Sequence, residues 1–554
     1  MTPIFLALAA CAVVIPGVPP KTPGPDDSDA AFPVDHVLEI AITLAELDWD
    51  TCRNQTRSVW ELFSGECLAE PFESPFTWFD GSVIIDGESW DHVGVKKKGF
   101  LGSLDLYKPG LKIRFDTYAE GGAFHDLHKI ALNNTPQDPT MLHTCLAYEV
   151  FRRDGVPAPR CGFAHVTVND EDLGVYSVVE PVDADFIARN FPGEQGALYE
   201  GTVADFREGW TGTFEGETDA ADGRDIAAVT DALTADDGAL IDTLDAVVDL
   251  DQYYDFWAAE SLTGHWDGYN GNTNNFYVYN NPATGKFVFI PWGADAAFQA
   301  QDSFGEGAPV WVVATSALAN RLINSEEGRV AYRTALLDLL ADAWDEDAMV
   351  EEVNRMAALI RPFMGSGWEA AVEELLTIVK RKEGKITRGM DDGADFSAEL
   401  RGPPCFRDMG DFAGTFETTF GTYPDQDVFT TGDAAFHATW EDSSWDLPDA
   451  GAAAGLAEDG SGTGVVMLAA VATDGTRLIP YVAANPADIE TGADLEFDFV
   501  HTTGAVYYMN SQTGGDYALA AYLADGGIHF DEADTTTGAS VRGTMTGRLV
   551  AWGW

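Results

Sequence analysis

The sequence predicts an α+β domain followed by a separate all-β domain, and three observations carry that reading. The chain has 554 residues, more than one hydrophobic core ordinarily serves. Short strand-like runs dominate from Asp35 to Phe115, whereas three patterns with helical spacing follow in series between Ser316 and Gly389. Past Arg401-Gly402-Pro403-Pro404 the composition changes: no lysine follows Lys385, and Thr, Gly, Asp and Ala dominate. The expected organisation is a leader and tether over 1–35, a mixed domain over 36–400 and a β-sandwich over 406–554.

The charge is extreme. There are 91 acidic and 32 basic residues, a net charge of −59, so self-repulsion must be screened by salt or spread over a hydrated surface. This predicts a halophilic or marine setting and argues against nucleic acid or anionic lipid as a partner. A basic protein substrate or scattered Ca²⁺ would suit such a surface. With 15 Trp and 32 Phe, the chain can still bury a sizeable interior.

The N-terminus has a short apolar run ending Leu8-Ala9-Ala10-Cys11, followed by a Pro/Gly/Asp stretch. It predicts export, either with Cys11 lipidated as a membrane anchor or after removal of an ordinary secretory signal. Of the six cysteines, Cys52–Cys67 and Cys145–Cys161 are the expected short-loop disulfides, and Cys405 is left over. No spacing suggests zinc.

In chain order, HVLEIAITLA, SVIIDGESW, VGVKKKGF and GLKIRFD read as strands. Lys96, Lys97 and Lys98 stand out in so acidic a chain. They are either a solvated face or a phosphate-facing element, with Lys112 on the next strand as the alternative cation. Asp138-Pro139-Thr140 reads as the start of a helix, with Asp138 as N-cap and Gly155 closing it. Two strands follow, and Glu180 ends the second just before Pro181. An acid there costs burial energy unless it meets a donor or a metal. VVDLDQYYDFWAAESLTG is an amphipathic helix leading to the stretch His265–Phe298.

That stretch carries the chemistry. Asp267 precedes a Gly/Asn run ending at Asn275. Runs Phe276–Tyr279 and Lys286–Pro291 then form a predicted hairpin, and Trp292 and Asp295 lie just past it. The hairpin would bring two carboxylates and an amide together, the donor set a Mg²⁺-nucleotide needs. The plain alternative is an Asx-rich turn capping a hairpin. Neither GxSxG nor HExxH occurs, which argues against those hydrolase classes.

The same residues resemble the CotH kinase family of spore-coat proteins. DGYNGNTNNFYVY and PWGADAAF are similar to the family core, and KPGLKIRFD, LHKIALNNTPQDPTML and GVPAPRCGFAHVTVNDEDLGVYSVVE match upstream segments in family order, from about Val93 to Phe298. The resemblance implies an atypical kinase-like fold, β-rich first and helical later. It implies transfer of the ATP γ-phosphate to Ser or Thr of a surface or coat protein, with Mg²⁺ or Mn²⁺. Asp267 would be the catalytic base, Asp295 and Asn275 the metal ligands, and Lys112 or Lys96–Lys98 the phosphate contacts. Glu180 would be a further member, and Glu149 is placed like the helix glutamate of kinases, unless it is merely a surface residue. The family's usual Pro-Trp-Asp-x-Asp appears here as Pro291-Trp292-Gly293-Ala294-Asp295. Were the chain extended there, Asp295 would share a face with Gly293 and could replace the lost aspartate. Should it not, an inactive surface scaffold of the same fold is the expectation.

Overall fold

The computed structural model describes residues 27–299, 309–392, 399–424, 426–441, 443–457, 461–499, 501–509 and 517–552. Cys11 and the other residues of the expected leader up to 26 lie outside them, whereas residues 27–35, expected to be tether, are folded: Asp27–Ala31 forms a 3₁₀ turn, and Ala31 and Phe32 are buried in the core of the first barrel. Seven strands build a first barrel: β1 (Leu38–Thr43), β2 (Phe79–Ile85), β3 (Glu88–Lys98), β4 (Gly110–Arg114), β5 (Lys129–Asn133), β6 (Cys161–Val168) and β7 (Glu171–Val179). They pair in the order β1-β2-β3-β4-β5-β7-β6, and β6 returns parallel to β1 to close the ring. Period-two alternation sends Val93, Val95, Leu111, Ile113 and Val166 into the barrel core. On β3 the residues of the other parity, Lys96 and Lys98, therefore face outward, and Lys97 faces inward with Val93 and Val95.

Helix α1 (His143–Arg153) crosses from this barrel to a second layer. It starts four residues later than the sequence suggests. Asp138 does not cap at Pro139; its carboxylate accepts from the Thr140 backbone N–H and, at 2.7 Å, from that of His143. Met141 takes a left-handed φ of 66°, so the intervening residues form a turn before the helix begins. Glu149 lies on the outer face and pairs with Arg152 and Arg153.

The second layer is a four-stranded sheet ordered β11-β10-β8-β9, with β8 (Ala197–Gly201), β9 (Phe214–Gly216), β10 (Phe276–Asn281) and β11 (Lys286–Pro291). The predicted hairpin is present, in register from Phe276↔Pro291 to Asn281↔Lys286. Helix α2 (Leu250–Thr263) packs on β11, and helices Ala317–Ile323, Glu326–Asp338, Glu346–Ile360 and Trp368–Val379 complete one shared core. No helix among the described residues is long and apolar enough to cross a membrane.

The all-β part consists of β12 (Phe406–Tyr423), β13 (Gly432–Trp440), β14 (Ser443–Leu456), β15 (Gly464–Val471), β16 (Arg477–Ala484), β17 (Asp494–Glu496), β18 (Thr502–Met509), β19 (Ala518–Glu532) and β20 (Ser540–Trp552). It departs from the expected sandwich. The strands form one ladder, and β20 pairs with both β12 and β19, so the sheet returns on itself. Long strands broken by bulges at Asp408/Gly410 and Ala524/Gly527 can bend around a single core, which two flat facing sheets do not need. Aromatic residues Phe406 and Trp552 then pack on Phe63 and so seat this barrel against the first domain.

The disulfides also differ from expectation. Cys145–Cys161 forms as expected, tying α1 to β6. Cys67 pairs with Cys405, 338 residues away, and Cys52 stays a buried thiol. Sequence spacing favours the short loop, but Cys52 is enclosed in the core of the first barrel while Cys67 sits at the domain junction.

Candidate active site

A cleft of about 430 Å³ lies between the outer face of β3–β4 and the end of the four-stranded sheet. One wall presents Lys96, Lys98 and Lys112; the other presents Asp267, Asn274, Asn275, Trp292, Gly293 and Asp295. The register explains the first wall, because Lys96 stands directly opposite Lys112 across the β3–β4 ladder. Lys98 lies over the Trp292 ring at 5.2 Å and donates to Asn133 Oδ1. Burial pushes its ammonium down to about 7, with neighbouring Lys112 adding to the shift and Glu200 and Asp295 opposing it.

Lys97 leaves the set. Its side chain points the opposite way on β3, is 1% exposed, and donates at 2.6 Å to the Arg53 carbonyl, at the end of helix Glu46–Asn54. A lysine there satisfies a terminal helix carbonyl. Glu180 also leaves the set. It is 1% exposed, and its oxygens accept from Arg160 at 2.8 Å and Arg189 at 2.6 Å. The donor it required is a pair of guanidiniums, not a ligand.

The second wall begins with Glu260 of α2. This buried acid accepts the backbone N–H groups of Tyr269 and Asn270 and the Asn270 amide, at 2.7–3.0 Å. It thereby fixes the loop after Asp267. A Cβ at Gly268 would stand 2.2 Å from Glu260 Oε1, so the approach requires glycine. The loop then turns three amides on Asp267: Asn272 Nδ2 at 2.5 Å and Asn274 Nδ2 at 3.4 Å on Oδ1, and Asn275 Nδ2 at 2.7 Å on Oδ2. Burial pushes the Asp267 carboxyl up; the donors Asn272 and Asn274, the Arg401 charge and Asn275 oppose that.

The Trp292 backbone N–H donates to the Asn275 carbonyl at 3.0 Å, which joins the loop to the end of β11. Beyond it the chain is not extended, contrary to expectation: Gly293 is left-handed (φ 48°) and Ala294–Ala296 forms a 3₁₀ turn. Asp295 nevertheless opens on the cleft, through this turn and not by strand alternation. Burial raises its carboxyl to about 7, and Asp267 and Asp138 add to the shift while Lys98 opposes it. The room beside Gly293 is filled by Asn275, whose Oδ1 would lie 2.4 Å from a Cβ there.

Sequence reasoning missed Glu260, Asn272, Arg401 and a group of three acids. Glu200, Glu215 and Glu217 line the same cleft with carboxylate oxygens within 4.8 Å of one another, and Glu200 faces Glu215 across the β8–β9 pair. Burial and Glu200 push Glu217 up to about 7, and Lys112 opposes. Like charges so placed are tolerated because a lysine wall faces them. Only Asn272 carried a sequence signal, as part of the Gly/Asn run. The others depend on chain crossings.

The family described as CotH kinase protein matches residues 95–377, half of the chain. The chain belongs to the CotH kinase family. That span takes in both walls of the cleft and extends past Phe298, into the helix Trp368–Val379. Inner spore coat protein H of Bacillus subtilis is 26% identical over 259 residues, covering 44% of this chain and 70% of that protein. Spore coat protein homolog 1 of Rhizopus delemar is 25% identical over 220 residues, 35% of each chain. Invasin CotH7 of the same fungus is 26% identical over 215 residues, 35% of this chain and 36% of its own. The chain thus spans about a third of the fungal relatives. Among solved structures, the Helicobacter pylori proinflammatory kinase CtkA aligns with 51% of this chain and 94% of its own at 10% identity and a TM-score of 0.27. The Shewanella oneidensis HipA–HipB–operator DNA complex aligns with 53% of this chain and 67% of its own at 13% identity and 0.31. Neither score is high enough to bear on the fold.

Proposed function

We propose that this CotH-family chain is an exported protein kinase that transfers the γ-phosphate of ATP to Ser or Thr of a surface or coat protein. The observation that carries the reading is the shared cleft: Asp267 and Asp295 open on one side and Lys98, Lys96 and Lys112 on the other. The coat and invasin names of the relatives support an extracytoplasmic setting for the substrate. Two carboxylates held above their ordinary range, with Asp267 raising Asp295, suit a hard divalent cation such as Mg²⁺ or Mn²⁺. Asp295 and the Asn275 amide oxygen would hold it, and ATP would supply the transferable phosphoryl group.

In this reading Asp267 receives the proton of the acceptor hydroxyl. Its amide donors fix both carboxylate oxygens, so an incoming hydroxyl meets an oriented base. Lys98, stacked on Trp292, and Lys112 place positive charge against the phosphates without rearrangement. A second reading, a surface scaffold that binds without turnover, is favoured by one observation: glycine stands at 293, where the family carries aspartate. Calorimetry of ATP with Mg²⁺ or Mn²⁺, together with labelling of a serine-containing protein by radiolabelled ATP, separates the two. The kinase reading expects metal-dependent binding and labelling in the wild type, with labelling reduced roughly a hundredfold or more in Asp267→Ala. ATP binding without labelling, or no ATP binding at all, removes the kinase reading and leaves the scaffold.

A further inference from the structure

Residues 399–405 lie beyond the span that matches the family, yet they run back onto the loop that carries the candidate base. The Arg401 backbone N–H donates to the Thr315 carbonyl at 2.9 Å, and the Arg401 carbonyl accepts from Arg207 Nη2 at 2.8 Å. The Arg401 guanidinium reaches inward, and Nη1 donates to the Asn272 carbonyl and, at 3.0 Å, to Thr273 Oγ1. Its charge lies close enough to Asp267 to act on that carboxyl. Four residues later the same segment is tied to the first domain by Cys67–Cys405, and Phe406 stacks on Trp60.

The place it touches is strained. Thr273 and Asn275 both hold φ at 49°, a left-handed conformation that is unusual for a non-glycine residue and most unfavourable for a β-branched one. Such residues cost on the order of 1–3 kcal/mol each and persist only where the surroundings enforce them. This turn brings Asn272, Asn274 and Asn275 onto Asp267. Arg401 donates to the Asn272 carbonyl and the Thr273 hydroxyl of this turn, while the Ala204 N–H donates to the Thr273 carbonyl and the Thr315 hydroxyl to that of Gly271.

We infer that Arg401 is a positioning residue: it clamps Asn272 and Thr273 in the turn that orients Asp267, and the Cys67–Cys405 bridge with the C-terminal barrel seats that clamp. The catalytic consequence rests on the kinase reading, whereas the ordering of the loop does not. A domain that places no group in the cleft among the described residues would thereby govern the precision of the site.

The test uses the full chain with Arg401→Gln, Arg401→Lys and the paired Cys67→Ser/Cys405→Ser variant. Hydrogen–deuterium exchange of residues 268–276 should rise about ten- to a hundredfold in Arg401→Gln, the loss of a charged hydrogen bond. It should rise less in Arg401→Lys, which keeps the charge but not the fork, and should also rise in the paired serine variant. In phosphotransfer, kcat should fall roughly a hundredfold with KM for ATP little changed, as expected of a misplaced base. A further variant, Arg401→Gly, should lose kcat to the same extent and recover part of it on addition of guanidinium. Unchanged loop exchange in Arg401→Gln overturns the clamp. Unchanged exchange in the serine pair overturns the role of the bridge. Should Arg401→Gln fail to fold, Arg401→Lys decides by the same exchange measurement. A wild type without phosphotransfer defeats the kinase reading and leaves the exchange result to stand alone.

Discussion

Gly293 concentrates the chemistry of the site in one missing side chain. It adopts φ 48°, and the space a Cβ would need holds the Asn275 amide. Gly293→Ala should therefore destabilise the chain by about 1–2 kcal/mol or more, read as a lower urea midpoint at unchanged slope. Gly293→Asp would install the family's usual aspartate, yet it must expel Asn275 and so release one oxygen of Asp267. Phosphotransfer should fall below the wild type. A rise instead would mean that glycine at 293 is an inactivating replacement and that Asn275 is free to move aside. Asp267, Asn275 and Asp295 were legible from residue type and spacing. Glu180 and Lys97 were not separable from the acids and lysines whose side chains face the cleft, because a buried acid or lysine in a strand looks alike whether it meets open space, an arginine or a helix carbonyl.

Among elements, helix α1 shows how a local signal gives way to tertiary demand. Its presence and its close before Gly155 were readable, but its start moved because Asp138 satisfies Thr140 and His143 together. At its other end Asp154 is enclosed with Asp255 of α2 and with Asp338 and Asp342 of the helical lobe. Burial and these like charges push its carboxyl up to about 8. The unfolded chain ionises near 3.8 while the folded chain keeps the proton, so folding stability falls as pH rises from about 4 to 8. Asp154→Asn removes that loss. It should stabilise the protein at pH 8 by about 1–3 kcal/mol relative to its effect at pH 5. Equal melting shifts at both pH values would show that Asp154 is ionised in the folded state. The hairpin β10–β11 is the opposite case: its turn residues Asn280–Gly285 and flanking aromatic runs specify it locally, and the register agrees.

For the whole molecule, a net charge of −59 must be screened. The Debye length shrinks from roughly 30 Å at 0.01 M salt to about 3 Å at 1 M, so repulsion between distant carboxylates largely disappears across that range. The melting temperature should rise by several degrees from low to molar NaCl, and urea midpoints should follow. A flat or falling curve would mean that the acids are already balanced locally, and the halophilic reading would lose its basis.

Periodicity, turn residues and ordered motifs were enough to read a strand-rich start, a helical lobe, a β-rich end and the loop bearing Asp267, because each of these signals is set by neighbours along the chain. Closure of the C-terminal sheet, the pairing of Cys67 with Cys405, the Glu260 and Arg401 supports and the three facing glutamates came from contacts between distant segments. A strand's alternation states which side is apolar but not which strand lies beside it, and an acid's identity does not name the cation that will meet it. Those choices are made when separate faces pack, and here they decided which charged residues line the cleft and which merely hold it in shape.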